Sequence, residues 1–462
     1  MKISSEPGVF LLEELIAYDT TNNPREGKYP DQKIIPYLQE VLREWIPNFK
    51  SRVITEGKYS SLYLTNDLKK PCDILFMGHL DVVPISEGWN SDPFVLTIND
   101  NKYGFGRGSK DCKGSVVSSL LFLRSFFEQA NENQYFNKVG LFLSTDEETG
   151  GEHGAKFFFD YTSENNLNPK YVINVDGGPR VVFKRRAGFR LSLHAPPNIK
   201  KKLANQRSIS FKSRILVDDN RHSAYFVRGV DTHALLSLSK YLHINPHLLV
   251  HSIKGDWIKN NVVPNSIQAE LVDPVTGDKL NGGEEISYDE NLTKVINILR
   301  SIVLLNVPTE ITSEFGVTVN PNRLSYSSIE GTDVYFDVRA FLFPENKELL
   351  IEALNNRLGL FSRKCQIQCS GSSGFFHTEI TNPLVTESTQ VMKDHLLMGQ
   401  YEEPIEQEGA SDARYATSHN IPVIDLGPKG GNIHGSNEYI DLKSMIHFSK
   451  VYHDIVAKLI LV

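Results

Sequence analysis

The stretch Ile74-Leu75-Phe76-Met77-Gly78-His79-Leu80-Asp81 decides how the rest of the chain is read. Four apolar residues without polar alternation describe a strand covered on both faces, as in a sheet with helices packed on each side. A histidine and an aspartate follow it directly. Three further runs repeat the arrangement: Val139-Gly140-Leu141-Phe142-Leu143 runs through Ser144-Thr145 to Glu147, Tyr171-Val172-Ile173-Asn174-Val175 ends at Asp176, and Pro422-Val423-Ile424-Asp425-Leu426 opens a Gly-rich loop containing His434. In open α/β sheets ligands bind at the carboxyl ends of the strands, so these runs are expected to bring their polar residues to one crevice. The expected fold class is α/β, with a central mixed sheet flanked by helices.

Composition narrows the function classes. The 462 residues are 40% hydrophobic and 23% charged, close to the soluble globular average. Lys and Arg number 49 against 56 acids, giving a net charge of −7, which argues against a general nucleic-acid binder. No apolar run approaches the roughly 18 residues of a membrane span. The start of the chain, with Glu6, Glu13 and Glu14 among apolar positions, reads as an amphipathic helix and not a signal peptide, so a cytoplasmic location is expected. The four cysteines, Cys72, Cys112, Cys365 and Cys369, make no disulfide framework and no CxxC pair.

The middle of the chain differs in character. Val181 to Val230 holds twelve Lys or Arg against two acids, Asp218 and Asp219. Phe183 to Ala195 alternates like a half-solvated strand, Ala234 to Tyr241 reads as helix, Thr332 to Phe341 as strand and Glu345 to Leu358 as helix. The stretch from His243 to Pro308 is ambiguous apart from the turn signal Asn281-Gly282-Gly283. An inserted α+β lid or dimerisation domain is therefore expected over residues 181–375, between the two parts of a catalytic domain, 1–180 and 376–462.

Hydrolysis at a metal centre needs His and carboxylate ligands together with an unligated carboxylate to take a proton from the attacking water. The strand ends supply such a set in His79, Asp81, Asp111, Glu147, Glu148, Asp176 and His434. Singly each has an ordinary reading: an Asp before glycines caps a turn or helix, and a Glu-Glu pair lies on a solvated face. Jointly, at successive strand ends, they point to a metal site.

Four segments carry a family resemblance: Gly78-His79-Leu80-Asp81-Val82-Val83-Pro84, Gly106-Arg107-Gly108-Ser109-Lys110-Asp111-Cys112-Lys113-Gly114, Asp146-Glu147-Glu148-Thr149-Gly150 and His434-Gly435-Ser436-Asn437-Glu438-Tyr439. They resemble the zinc amidohydrolases that include aminoacylase, glutamate carboxypeptidase, acetylornithine deacetylase, succinyl-diaminopimelate desuccinylase and carnosinase-type dipeptidases. The resemblance implies two Zn2+ ions per chain, with Co2+ or Mn2+ as substitutes. Asp111 would bridge them, His79 and Asp176 completing one site and Glu148 and His434 the other. Glu147 would be the general base and Asp81 the partner of the His79 ring, the alternative for Asp81 being a surface salt bridge. It also implies a cis Asp111-Cys112 peptide.

In the inserted region Arg228-Gly229-Val230-Asp231-Thr232-His233-Ala234 resembles the lid motif whose His helps hold the carbonyl oxygen, which makes His233 a substrate-binding candidate; the alternative is a structural His at a helix start. Arg339 stands where the family places an arginine for the substrate carboxylate, although the Asn-x-x-Pro element lies far upstream at Asn261-Val262-Val263-Pro264. Ser411 and Arg414 resemble a segment near the pocket; alternatively Ser411 and Asp412 cap a short helix. Arg185, Arg186 and Arg221 are further candidates for the carboxylate, while Lys200-Lys201-Lys202 reads as a solvated face. The expected reaction is hydrolysis of an amide next to a free carboxylate, in a dipeptide or an N-acyl amino acid. The expected partners are that small molecule and a second copy of the chain in a homodimer, with neither nucleic acid nor membrane. The rival reading is a catalytically silent binding or scaffold protein on the same fold, and a phosphoesterase or nuclease on another two-metal fold is a more distant one.

Overall fold

The computed structural model describes residues 6–129, 137–216, 221, 223, 226–274, 284–370, 374–395, 403–407 and 409–460. The chain divides into two compact units, one formed by Met1–Arg185, Phe376–Gln407 and Ser411–Val462, the other by Arg186–Phe375 with Glu408–Ala410. In chain order the first unit begins with α1 (Pro7–Ala17), α2 (Ile34–Trp45), β1 (Lys50–Glu56), β2 (Tyr59–Thr65), β3 (Ile74–His79), β4 (Thr97–Asn99), β5 (Tyr103–Phe105), α3 (Lys113–Gln129), β6 (Val139–Ser144), α4 (Phe157–Glu164), β7 (Tyr171–Asn174) and β8 (Val182–Arg185). The second holds β9 (Ala187–Ala195), β10 (Ile199–Lys212), α5 (Ala234–Ile244), β11 (Leu249–Gly255), β12 (Ser266–Asp273), β13 (Glu284–Asp289), α6 (Glu290–Ile302), β14 (Thr318–Ser327), β15 (Gly331–Ala340), α7 (Glu348–Leu358) and β16 (Gln366–Ser370). The first unit resumes with β17 (Phe376–His377), α8 (Pro383–Asp394), β18 (Ile405–Gln407), α9 (Ala413–Ser418), β19 (Val423–Asp425), β20 (Gly430–Gly431), β21 (Tyr439–Asp441) and α10 (Leu442–Ile460).

The four apolar runs become neighbours in one mixed sheet of order β1-β2-β6-β3-β7-β19-β8-β17, with β18 beside β8. Strands β6, β3, β7 and β19 are mutually parallel, so their carboxyl ends share one edge. Their side chains alternate between two cores. Ile74, Phe76, Leu141, Ile173 and Ile424 pack on one face with residues of α1, α3 and α10 such as Leu12, Phe122 and Tyr452. Leu75, Met77, Phe142, Val172 and Val423 pack on the other with Phe158, Ala413 and Ala416 of α4 and α9. Helices on both faces explain why these strands are apolar throughout. Asn382 starts α8 by accepting the Leu384 N–H at 2.9 Å, with Pro383 at the first helical position.

In the second unit the sheets are antiparallel, β11-β12-β10-β13 and β14-β15-β9-β16. Phe189, Leu191 and Leu193 of β9 and Val334, Phe336 and Val338 of β15 point at every second position into a core shared with α5, α6 and α7. The expected Phe183–Ala195 strand is two strands. Val182–Arg185 pairs with β17 and β19 in the first unit's sheet, and Ala187–Ala195 pairs with β15 and β16. The first unit therefore runs five residues past the boundary drawn at residue 180. The unreadable stretch contains β11, β12, β13 and α6, with Asp289 capping α6 through the Asn291 and Leu292 N–H groups at 2.8 and 3.1 Å. Asn281-Gly282-Gly283, Asp218 and Asp219 lie outside the described residues. Lys200 and Lys201 pair with Glu290 and Glu285 on an exposed strand, as a solvated face does.

Candidate metal centre

His79 is the last residue of β3 and lies opposite Ser144 at the end of β6. Glu147 and Glu148 follow β6 in a single 3-10 turn, Asp176 comes two residues after β7, and Asp111 precedes α3 by two residues. His434 lies between β20 and β21 with φ of 62°, in the left-handed region. These placements converge on Asp111. Its Oδ1 lies 2.9 Å from His79 Nε2, and its Oδ2 lies 3.0 Å from His434 Nε2. The second oxygen of Asp176 is 3.9 Å from His79 Nε2, and Glu148 Oε2 is 3.1 Å from His434 Nε2. Two sets of donor atoms lie close enough together to hold an ion, His79 with Cys112 and Asp176 and His79 with Asp111 and Glu148, and His434 adjoins the second through Asp111 and Glu148.

The charges in this space ask for cations. Burial raises Asp176 to about 7, with Asp111 adding to the effect. Burial, then the Asp412 and Glu148 carboxylates, pushes Glu147 well above the ordinary range. Burial opposes protonation of His434, yet Glu148 and Asp111 outweigh it and raise the ring to about 12. A buried group of carboxylates with so few counter-charges is costly unless positive charge is bound among them. Imidazole nitrogen and carboxylate oxygen are also the donors that suit zinc and similar ions. The residues present fit divalent metal binding.

The surroundings fix these donors. His79 Nδ1 donates to the Asp81 carbonyl at 3.0 Å, which leaves Nε2 bare as an acceptor or ligand. The Asp81 carboxylate, expected to take that ring proton, is farther away at 3.5 Å. Instead its oxygens accept the backbone N–H groups of Glu147 and Glu148, both at 3.1 Å, and the Asn22 amide at 2.8 Å. Asp81 is fully buried, so a surface salt bridge is excluded; it locks the Glu147-Glu148 turn beneath the His79 ring. The Asp111-Cys112 peptide is cis.

Two residues that carried no role in the sequence reading turn out to shape the site. Glu438 is buried and accepts from Arg107 Nη1 at 2.8 Å and from the backbone N–H groups of Gly108, Lys110 and Asp111 at 3.1, 2.8 and 3.0 Å. It therefore holds the loop that presents Asp111. Gly108 in that loop has φ of 83°, and a Cβ there would stand 2.8 Å from Val82. The signal was a Glu within His434–Tyr439 and an Arg within Gly106-Arg107-Gly108, residue types that neutralise each other when both are buried. Asn22 gave no signal, because a single Asn in a loop carries none.

Among the substrate-binding candidates, Arg414 has partners within the first unit. Its Nη atoms donate to the Ser411 and Gly150 carbonyls at 2.8 and 2.6 Å and lie 3.1 Å from Asp412, so it braces the turn after β6. Ser411 is likewise buried. Its Oγ accepts the Ala413 N–H at 3.2 Å, the helix-capping alternative, and lies 3.3 Å from Asp425. Arg185 is held by Asp425 and Gln407, Arg186 donates to Gly316 and Thr318, and Arg221 to Val263, so all three have internal partners. In the second unit Arg339 is buried with Nε donating to Asp337 at 3.1 Å, and Asp337 also accepts from Ser223 Oγ at 2.6 Å. His233 stands at the N-cap position of α5 without capping it through its side chain, buried and edge-on to Phe226.

The sheet with its converging imidazoles and carboxylates defines a metal-dependent hydrolase. Residues 75–458 match the sequence pattern of peptidase family M20/M25/M40, and the chain belongs to that family. A succinyl-diaminopimelate desuccinylase of Helicobacter pylori (strain P12) is 22% identical over 96% of this chain and 96% of its own. Among solved structures, aminoacylhistidine dipeptidase from Vibrio alginolyticus shares the fold with a TM-score of 0.70 at 13% identity, covering 99% of this chain and 98% of its own. Human carnosine dipeptidase 1 does so with a TM-score of 0.57 at 15% identity, covering 100% and 98%. The chain is a metallohydrolase acting on amide bonds. Among the described residues no helix is long and apolar enough to cross a membrane.

Proposed function

We propose that the chain is a di-zinc enzyme that hydrolyses the amide bond next to a free carboxylate in a dipeptide or an N-acyl amino acid. The observation that supports it is Asp111 facing two imidazoles with its two oxygens. Asp111, His79, Asp176, Glu148 and His434 would hold the ions, Asp111 serving both positions, His79 and Asp176 one, and Glu148 and His434 the other. Divalent ions bound there would activate the attacking water and polarise the scissile carbonyl. Glu147, raised by burial and by neighbouring carboxylates, takes the proton of the attacking water and delivers it to the leaving nitrogen. Asp81 keeps that carboxylate in place through its backbone bond to Glu147. His233 supplies a donor to the carbonyl oxygen, and Arg339 pairs with the substrate carboxylate, its planar fork matching two oxygens.

The names of the relatives support both substrate kinds, N-succinyl amino acids and dipeptides. The deciding experiment measures kcat/KM of zinc-loaded protein for a dipeptide, its C-terminal amide, an N-acetyl and an N-succinyl amino acid. Hydrolysis of at least one acid, with the amide slower by about 2 to 5 kcal/mol of lost pairing, is the expected result. Equal rates for acid and amide overturn the carboxylate requirement, and turnover of phosphate esters alone overturns the reaction class. In solution the chain forms a homodimer in the cytoplasm. Light scattering at the monomer mass overturns the dimer, and recovery of activity on mixing Glu147→Ala with His233→Ala chains would place His233 in the partner's site.

A further inference from the structure

A second group of histidines lies on α8 and α10, built by elements other than the strand ends that carry the metal centre. His395 closes α8, while His447 and Asp454 stand seven residues apart on α10, on one helical face. The His395 Nδ1 and His447 Nε2 atoms are 2.8 Å apart, and His395 Nε2 lies 2.7 Å from Asp454 Oδ2. Asp454 Oδ1 in turn lies 3.1 Å from His453 Nδ1. A carboxylate can only accept, so His395 carries its proton on Nε2 and presents a bare Nδ1 toward His447.

That is how a metal-binding histidine is usually prepared, one ring nitrogen tied to a carboxylate and the other turned outward. Only one proton occupies the short gap between the two rings. Two nitrogens on a tetrahedral ion at 2.0 to 2.1 Å stand about 3.3 Å apart, so exchanging the proton for an ion widens the gap by about half an ångström. Neither residue is fully buried, so an ion can reach the pair from solvent.

We propose that His395 Nδ1 and His447 Nε2 form a separate two-nitrogen site for a first-row transition-metal ion such as Zn2+, with Asp454 orienting His395 from behind. Burial first, then the Lys450 charge, lowers His447 to about 4, so its ring is neutral and able to ligate at neutral pH. The site needs no ion at the catalytic centre and stands apart from the proposed function.

Calorimetric titration of zinc-loaded protein with further Zn2+ tests it. One additional equivalent per chain is expected, lost in His395→Ala and in His447→Ala and weakened about 10- to 100-fold in Asp454→Asn. Substoichiometric Cu2+ added to the zinc-loaded wild type gives a reading that depends on no variant. The ring proton resonances of His395 and His447 should broaden before those of any other histidine. Equal zinc uptake by wild type and His447→Ala, no added equivalent at all, or earlier broadening at another histidine overturns the site.

Discussion

The two units use their buried polar residues in opposite ways. In the first, His79, Asp111, Glu148 and His434 converge with unlike charges within 3.1 Å of one another along a chain of contacts. In the second, polar side chains stay in small local sets, such as Ser223 with Asp337 and Arg339. The difference follows from architecture. Parallel strands bring several chain ends to one edge, whereas hairpin-connected antiparallel strands distribute theirs. Chemistry gathers where strand ends gather.

The comparison breaks most sharply at Asp111. If its carboxylate serves both halves of the centre, Asp111→Ala loses both ions by elemental analysis and activity falls by more than about 10⁴. Full retention of metal would reduce the centre to separate sites. Glu147→Gln should keep its metal while kcat falls by about 10² to 10⁴, since it removes a proton acceptor and not a ligand. Parallel loss of metal would exchange the roles of Glu147 and Glu148. For the second unit the effects are those of packing. Phe336→Ala, in a fully buried position of β15, should cost about 3 to 5 kcal/mol, read as faster amide exchange in β9 and β15 with the metal content unchanged.

The smallest effect concerns His233. Burial lowers it from 6.5 to about 4. Protonation therefore favours the unfolded chain: the contribution is complete above pH 6.5 and is lost as pH falls toward 4, by about 3 kcal/mol at the limit. Exchange protection of α5 measured from pH 7 to pH 4 should fall in wild type, and fall less in His233→Leu. Identical profiles would mean that the ring is not held neutral.

How much could be read beforehand follows the same division. The runs Ile74–Met77, Val139–Leu143, Tyr171–Val175 and Pro422–Leu426 announced adjacent buried strands because full burial leaves no polar alternation. The metal-competent residues were visible because that chemistry admits few side-chain types. The partners of Arg414 were not legible for the converse reason: an arginine serves a substrate or a carbonyl equally well, and only the folded chain shows it donating to the Gly150 and Ser411 oxygens. The β11–β13 stretch was opaque because its strands are half-exposed and one carries a bulge at Val250–Ser252, which interrupts the period of two. Arg186 hid the break between β8 and β9, since one residue passing between sheets leaves the alternation nearly intact.

Glu438 carries a consequence for the order in which the site can come into being. The loop presenting Asp111 is tied by a carboxylate 327 positions later in the chain. During synthesis His79 and Asp111 leave the ribosome, followed by the whole second unit, long before the residue that fastens their loop. Until residue 438 has emerged, the three backbone N–H groups and Arg107 that it will gather have no such partner. A growing chain is thus kept from assembling its metal centre early, and competence arrives only once residue 438 has emerged.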